Sequence, residues 1–281
     1  MLAAPTGLTK MTLVRVPRQQ ATVWLATQAL DVPGDFIEAG VFRGGTAILM
    51  VAVLTCANDT EKTMWLADSF EGLPDPSWNP GDQQATGGKQ ADWKGLSRKW
   101  TASEAVVGES FARAERKWAE LLAEAPEGTK GASSSTTGAI AKGGRAKRFG
   151  AWDEARTRTL PGWFKDTLPD PRGMGALSFI RCDADMYSST KECLDHLYWR
   201  LSPGGFVYID DYWEFEACKR AVDLFRSEQR ISEPLYTIVE DGAWHFEKDM
   251  SAAAVAAHKT RAYPRGTLER HIDAVFWKKG K

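Results

Sequence analysis

The sequence predicts a doubly wound α/β domain on a mostly parallel, seven-stranded sheet with helices on both faces. Three observations carry this. Residues 35 to 67 read as strand, helix, strand, which implies a parallel pair joined by a right-handed crossover. Short apolar runs of strand length recur between helical segments down the chain, the alternation that builds an α/β layer structure. Two of those runs, Ala176-Leu-Ser-Phe-Ile-Arg-Cys and Gly205-Phe-Val-Tyr-Ile, end in aspartates, Asp183-Ala-Asp185 and Asp210-Asp211. Carboxyl ends of strands are where open α/β sheets bind their ligands.

The elements follow in order. Residues 18 to 30 have helical periodicity, with Val23, Leu25 and Leu30 among the apolar positions. Asp31-Val-Pro-Gly34 breaks that helix, and Asp35-Phe-Ile-Glu38 is the first strand. Gly40-Val-Phe-Arg-Gly44-Gly45 is a tight turn into a buried helix, Thr46 to Cys56. Thr63 to Ala67 is the second strand and ends at Asp68. Residues 75 to 100, with Trp78, Trp93 and Trp100, lack regular signals and read as a lid over the acceptor site. Packing of these tryptophans against the sheet is an equal alternative. A helix capped at Thr101 or Ser103 runs to about Ala123, with Val107, Phe111, Ala114, Trp118 and Leu121 on one face. Residues 126 to 148 are Gly, Ser, Thr, Ala and Lys, a composition that cannot bury enough apolar surface to order itself. Thr157 to Leu160 is the third strand. After the strand ending at Asp183, a helix from Ser188 to Leu201 is capped by Ser188 or Ser189. A further helix spans about Phe215 to Arg226, and the tail supplies strands at Leu235 to Val239 and Ala274 to Trp277. One domain accounts for the whole chain, 1–281, with an N-terminal helical segment over 10–33 and an insertion over 240–270.

Composition excludes several classes. A formal net charge of −1 gives no global field for nucleic acid or an anionic membrane. The longest apolar run, Ala47 to Ala57, is too short to span a bilayer. Cys56, Cys182, Cys193 and Cys218 show neither C-x-x-C nor zinc spacing and read as reduced, buried thiols of a cytoplasmic protein. A short organelle-targeting segment stays open.

The chemistry gathers at the strand ends. Two like charges ~4 Å apart at an effective dielectric of ~20 repel by about 4 kcal/mol. Asp183, Asp210 and Asp211 therefore take up a proton or hold a cation. Hard oxygen ligands of this kind suit Mg²⁺, which keeps positions open for substrate hydroxyls. The plainer alternative is that Asp210-Asp211 only ends a strand. Gly40, Gly44 and Gly45 permit close backbone approach, and Asp68 stands where an acid would receive ribose hydroxyls. That pattern fits NAD or S-adenosylmethionine. Gly40-x-x-x-Gly44-Gly45 is not G-x-G-x-x-G, so the pyrophosphate cradle is missing and S-adenosylmethionine is favoured. Arg43 in that turn is a candidate partner for the cofactor carboxylate, with an exposed turn arginine as the blander reading.

Five segments, in order, resemble the macrocin O-methyltransferase family. They are Gly34-Asp-Phe-Ile-Glu-Ala-Gly-Val-Phe-Arg-Gly-Gly45, Ala67-Asp-Ser-Phe-Glu-Gly-Leu-Pro74, Gly162-Trp-Phe-Lys-Asp-Thr-Leu-Pro169, Asp183-Ala-Asp-Met-Tyr-Ser-Ser-Thr190 and Leu201-Ser-Pro-Gly-Gly-Phe-Val-Tyr-Ile-Asp-Asp-Tyr212. The resemblance covers roughly residues 10 to 240 apart from two insertions. It implies a class I, Rossmann-like enzyme that uses S-adenosylmethionine and Mg²⁺ to methylate a hydroxyl of a small polyhydroxylated molecule, such as the sugar of a natural product. By the same resemblance Glu38 and Gly40 face the methionine part, Asp68 binds the ribose hydroxyls with Ser69 and Phe70 flanking it, and Gly162 and Trp163 lie near the adenine; Gly44 is a further cofactor-binding candidate. Asp183, Asp210 and Asp211 hold the metal. A homodimer is implied by analogy alone. Related catechol-type enzymes carry a lysine near the fourth-strand aspartate, where this chain has Met186, so the base is unassigned. Asp185, His245 and His196 are the weak candidates. The competing readings are a non-catalytic S-adenosylmethionine-binding regulator and an NAD-dependent oxidoreductase.

Overall fold

The computed structural model of the chain describes residues 11–85, 97, 99–124, 156–240, 244–259 and 271–280. The insertion at 126–148 and Trp93 lie outside the described residues. The strands are β1 (Asp35–Ala39), β2 (Met64–Asp68), β3 (Thr157–Pro161), β4 (Leu177–Cys182), β5 (Leu201–Ile209), β6 (Tyr236–Glu240), β7 (Trp244–Lys248) and β8 (His271–Lys278). They form one sheet in the order β3-β2-β1-β4-β5-β8-β6-β7. β1 to β5 run parallel, and β8 enters antiparallel between β5 and β6. The chain thus reverses direction across the sheet between β1 and β4, and the crevice at that switch point is the expected ligand position.

The helices are α1 (Val16–Gln28), α2 (Gly45–Cys56), α3 (Pro80–Ala85), α4 (Glu104–Glu124), α5 (Phe164–Thr167), α6 (Tyr187–Leu197), α7 (Glu216–Glu228) and α8 (Ala252–Lys259). The central strands β1, β2 and β4 bury both faces, which is why they read as continuous apolar runs rather than alternating ones. Successive residues of β5 still separate by face. Phe206 and Tyr208 join the core under α1, α2 and α4, with Leu25, Met50 and Phe111. Val207 and Ile209 join the opposite core with Leu194, Val222 and Phe225 of α6 and α7. α2 is apolar almost all round because it is buried almost all round.

Among the described residues the sheet has eight strands where the sequence predicts seven. The additional strand, β7, is Trp-His-Phe-Glu-Lys, whose alternation is diluted by its polar surroundings. Its pairing with β6 places Phe246 5.3 Å from Trp24 and 5.4 Å from Phe276, ring centre to ring centre. This aromatic packing, absent from any local signal, makes the strand. The helix expected from Ser188 to Leu201 begins at Tyr187 and ends at Leu197, followed by a 3-10 turn and then β5 from Leu201. Ser188 and Ser189 lie inside it and do not cap it. Instead Asp82 of α3 accepts the Ser188 N–H at 3.0 Å, fixing one part of the expected lid to α6. Cys182, Cys193 and Cys218 are buried as expected, whereas Cys56, the last residue of α2, is exposed.

Candidate active site

The turn after β1 is assembled from three strand ends. Gly40 donates its N–H to Ala67 O at 2.9 Å, and Asp183 donates to Ala39 O at 2.8 Å. Gly40 has φ +89°, and a Cβ there would lie 1.7 Å from the Asp183 carbonyl oxygen. Only glycine lets β1 and β4 come this close. The Asp68 carboxylate accepts N–H groups of Val41 (2.7 Å), Phe42 (3.2 Å) and Phe70 (2.7 Å), so it holds the turn in shape. Burial raises its pKa against the pull of those three donors. Phe42 and Phe70 both sit at positive φ, +49° and +56°. Backbone strain of this kind costs about 1–3 kcal/mol per residue and concentrates at binding sites.

The aspartates fall into two groups. Asp183, Asp185 and Asp211 each bring a carboxylate oxygen to within 4.8 Å of the other two. Burial, reinforced by the neighbouring aspartates, pushes Asp185 and Asp211 well above the usual carboxylate range, and burial with Asp210 nearby raises Asp183. Asp211 Oδ2 is buried and meets no hydrogen-bond partner among the described residues. Asp210 faces elsewhere. Its Oδ1 accepts from Arg181 Nη2 and from the Tyr208 hydroxyl, each at 2.7 Å, and its Oδ2 accepts from Arg18 Nη1 at 2.6 Å. Burial works against its charge, but Arg18 and Arg181 overcome that and hold its pKa below the ordinary value.

Arg181 is the next-to-last residue of β4 and has no exposure. Its Nη1 donates to Glu38 Oε1 and to Asp183 Oδ2, both at 2.8 Å. It therefore ties the cofactor strand to the acidic cluster. Glu38 also accepts from the Thr46 hydroxyl. Burial raises Glu38 to a pKa of about 7 despite the opposing arginine.

A cavity of about 620 Å³ opens over these strand ends. Gly40, Asp68, Ser69, Trp163 and the four aspartates 183, 185, 210 and 211 line it. The β3 side carries Trp163 with Trp78 packed edge-on at 5.3 Å, and the β8 side carries Trp100, Phe215 and Asp273. Trp78 and Trp100 line the cavity rather than the core. Glu38 and Gly44 are set back from the wall: Glu38 is enclosed beneath it, and Gly44 packs on Val107 and Phe111 of α4. Arg43 is exposed, its guanidinium over the Phe42 ring. Gly162, at φ +129°, shapes the turn that presents Trp163. His245 lies on the exposed edge strand β7 and His196 near the end of α6, both away from the cavity wall.

Sequence reasoning misses Arg18, Arg181, Glu192 and the Thr12–Arg15 segment of the wall. Glu192 is the most informative of these for pH. Burial, with Asp82 nearby, raises it from an ordinary 4.5 to about 7. A raised acid holds its proton more tightly in the folded state, so stability is lost as pH climbs from about 4.5 to about 7. Glu192→Gln mimics the protonated form. Since the group is half-buried, we expect a gain of only about 1 kcal/mol at pH 8, vanishing below pH 4.5. Denaturant melts at both pH values check this, and an equal gain at both would refute the titration.

The chain is similar to known proteins over most of its length. The model of the macrocin O-methyltransferase family matches residues 7–116 and 142–247. The chain is 37% identical over 223 residues to the 8-demethyl-8-(2,3-dimethoxy-alpha-L-rhamnosyl)-tetracenomycin-C 4'-O-methyltransferase of Streptomyces olivaceus, covering 79% of this chain and 69% of that one. It is 33% identical over 214 residues to the demethyldecarbamoylnovobiocin O-methyltransferase of Streptomyces niveus, covering 76% and 66%. Among solved structures, the O-methyltransferase NovP superposes with a TM-score of 0.63 at 27% identity, over 96% of this chain and 83% of its own. The calicheamicin methyltransferase CalS11, at 15% identity and a TM-score of 0.52 (99% and 88% covered), shares the fold. No helix among the described residues is long and apolar enough to cross a membrane. With the glycine turn, the strand-end aspartates and the cavity between them in place, the chain belongs to the macrocin O-methyltransferase family.

Proposed function

We propose that this chain transfers the methyl group of S-adenosylmethionine to a sugar hydroxyl of a glycosylated natural product, assisted by Mg²⁺. The observation that carries this is the cluster of Asp183, Asp185 and Asp211 oxygens facing the cavity that the Gly40 turn also opens into. The fit to a cation rests on chemistry in this structure: a hard oxygen set, raised carboxylates, and a buried Asp211 oxygen without a partner. When bound, the ion would chelate neighbouring hydroxyls of the acceptor and lower the pKa of the attacking one. The relative from Streptomyces olivaceus acts at the 4' oxygen of a compound bearing a rhamnosyl group, which supports a sugar as acceptor.

The chain's own groups do the rest. Asp68 and the turn it braces orient the ribose and methionine parts of the donor, and Trp163 with Trp78 offers an aromatic surface for the adenine. Trp100 and Phe215, 6.3 Å apart, give the β8 side an apolar face for the acceptor. Alignment of the reacting atoms can supply about 7–11 kcal/mol. Asp185, held at φ +55° within the cluster, is the group assigned to receive the hydroxyl proton in its ionised form. General-base assistance of this type contributes about 10²–10⁴-fold.

The test is methyl transfer from isotopically labelled S-adenosylmethionine to a panel of glycosylated aromatic and macrolide compounds, read by mass spectrometry with Mg²⁺ and with EDTA. Transfer that stops in EDTA supports the reading, and undiminished transfer in EDTA refutes the role of the metal. Asp211→Asn should lower the rate about 100-fold or more while S-adenosylhomocysteine affinity stays within about threefold. Tight NADH binding with no S-adenosylhomocysteine binding would replace this reading with an oxidoreductase.

A further inference from the structure

The helix that leaves the acidic cluster has no cap from its own N-terminal residue. α6 starts at Tyr187, and Met186 at the N-cap position makes no side-chain cap hydrogen bond. A cap side chain ordinarily accepts the N–H of the second or third helical residue. Here that N–H, of Ser188, goes at 3.0 Å to Oδ1 of Asp82, 106 residues away in the chain. Asp82 is 2% exposed, so the bond is shielded from water. A carboxylate is also favoured at the positive end of a helix. The packing around this bond is close. A Cβ on Gly81 would run into the Tyr187 ring. The Gly81 carbonyl accepts from Arg220 of α7 at 2.5 Å, and the Arg220 guanidinium lies 4.9 Å from the centre of the same ring. The segment held in this way runs back toward β2, and its start is fastened separately. There the Ser97 hydroxyl bonds both the N–H of Leu73 (3.1 Å) and its carbonyl (3.2 Å). Between the two fastenings stands Trp78, in a 3-10 turn over Pro76–Trp78 that Asp75 caps by accepting the Ser77 N–H at 2.8 Å. Trp78 is 57% exposed, so its place depends on the fastenings of the segment more than on its own burial. It meets Trp163 edge-on at 5.3 Å, and both line the cavity.

We propose that Asp82 is a positioning residue for the methyl donor: by capping α6 from outside the helix, it holds residues 75–82 so that Trp78 closes the adenine side of the cavity against Trp163. The same bond ties that wall to the helix that follows Asp183 and Asp185, which sets the donor wall in register with the place of methyl transfer. Asp82 acts through Trp78 and not on the reacting atoms. This part of the chain then serves the donor, whereas the sequence reading gives residues 75 to 100 to the acceptor. The proposal rests on the donor reading above and on no assignment of the metal.

The experiment measures two quantities on the full chain, calorimetric S-adenosylhomocysteine affinity and amide hydrogen exchange of the peptide covering residues 75–85. Asp82→Ala should weaken S-adenosylhomocysteine binding about tenfold and speed exchange of that peptide by about tenfold or more. Asp82→Asn keeps an oxygen for the Ser188 N–H and should stay within about threefold of wild type in both. Trp78→Ala should also weaken binding about tenfold while exchange stays within about threefold. Because Asp82 acts through Trp78, the double variant should bind no more than about threefold more weakly than Trp78→Ala alone. A merely structural role for the cap would instead multiply the two losses. Gly81→Ala, which unseats the segment at Tyr187 and leaves Asp82 in place, should reproduce the effects of Asp82→Ala and serves if that variant does not fold. Wild-type affinity in Asp82→Ala, or losses that multiply in the double variant, would overturn the proposal. A wild-type chain that binds no S-adenosylhomocysteine would overturn the donor reading, and this role with it.

Discussion

Gly40→Ala is expected to abolish cofactor binding and to lower the melting temperature by roughly 10 °C. The added methyl would stand 1.7 Å from the Asp183 carbonyl oxygen, at a φ of +89° that L-residues rarely adopt. The obstacle is backbone, so no side chain can swing away. Left-handed strain of about 1–3 kcal/mol adds to overpacking of about 1–3 kcal/mol, and for a chain of this size each kcal/mol moves the melting temperature by about 2–4 °C. Relief can come only by separating β1 from β4, which also separates the donor turn from the acidic cluster. Gly175→Ala is the control, since nothing lies within 4 Å of the position a Cβ would take. Thermal scanning and S-adenosylhomocysteine calorimetry on both variants decide it. A Gly40→Ala protein that melts and binds like Gly175→Ala would show that the turn does not set the site.

Arg181→Met should destabilise the protein by about 3–5 kcal/mol, the usual cost of stripping a buried charge of its partner. Methionine fills much of the volume, so the loss is electrostatic. Glu38, Asp183 and Asp210 each lose a contact of 2.7–2.8 Å in a region with no exposure at the arginine. The pH dependence gives the cause. In the wild type the two arginines depress Asp210, so its contribution is fully present above its ordinary pKa of 3.8 and is lost only as pH falls below that. With Arg181 gone its folded pKa rises and the window moves up. The deficit should therefore be largest at pH 8 and shrink toward pH 5, where the unpaired carboxylates take up protons. Urea unfolding at the two pH values tests this, and a deficit independent of pH would point to packing instead. Adding Glu38→Gln to Arg181→Met should recover part of the loss at pH 8.

Much of the fold could be read locally because its signals are local. A run such as Leu177–Cys182 is apolar because both its faces are covered, and a glycine cluster after a strand announces a tight turn. Strand β7 escaped because Trp244 and Phe246 matter only through Trp24 and Phe276, which are distant in sequence. The site divides in the same way. Gly40, Asp68 and the strand-end aspartates were visible as residue types at element ends, Trp163 only through the family resemblance, and all of them line the cavity. Arg181 was hidden by its position inside an apolar strand, where a lone arginine gives no sign of the three carboxylates around it.

What the sequence determined by itself is the alternation of elements, the glycine turn and the gathering of aspartates at the carboxyl ends of β4 and β5, because hydrophobic period and turn chemistry act over a few residues. Which aspartate faces which partner was decided only by the tertiary structure. Arg18 and Asp210 are 192 residues apart in the chain and 2.6 Å apart in space. Whether a carboxylate is balanced by an arginine or left to a proton or a cation depends on the low-dielectric surroundings that only the packed sheet creates.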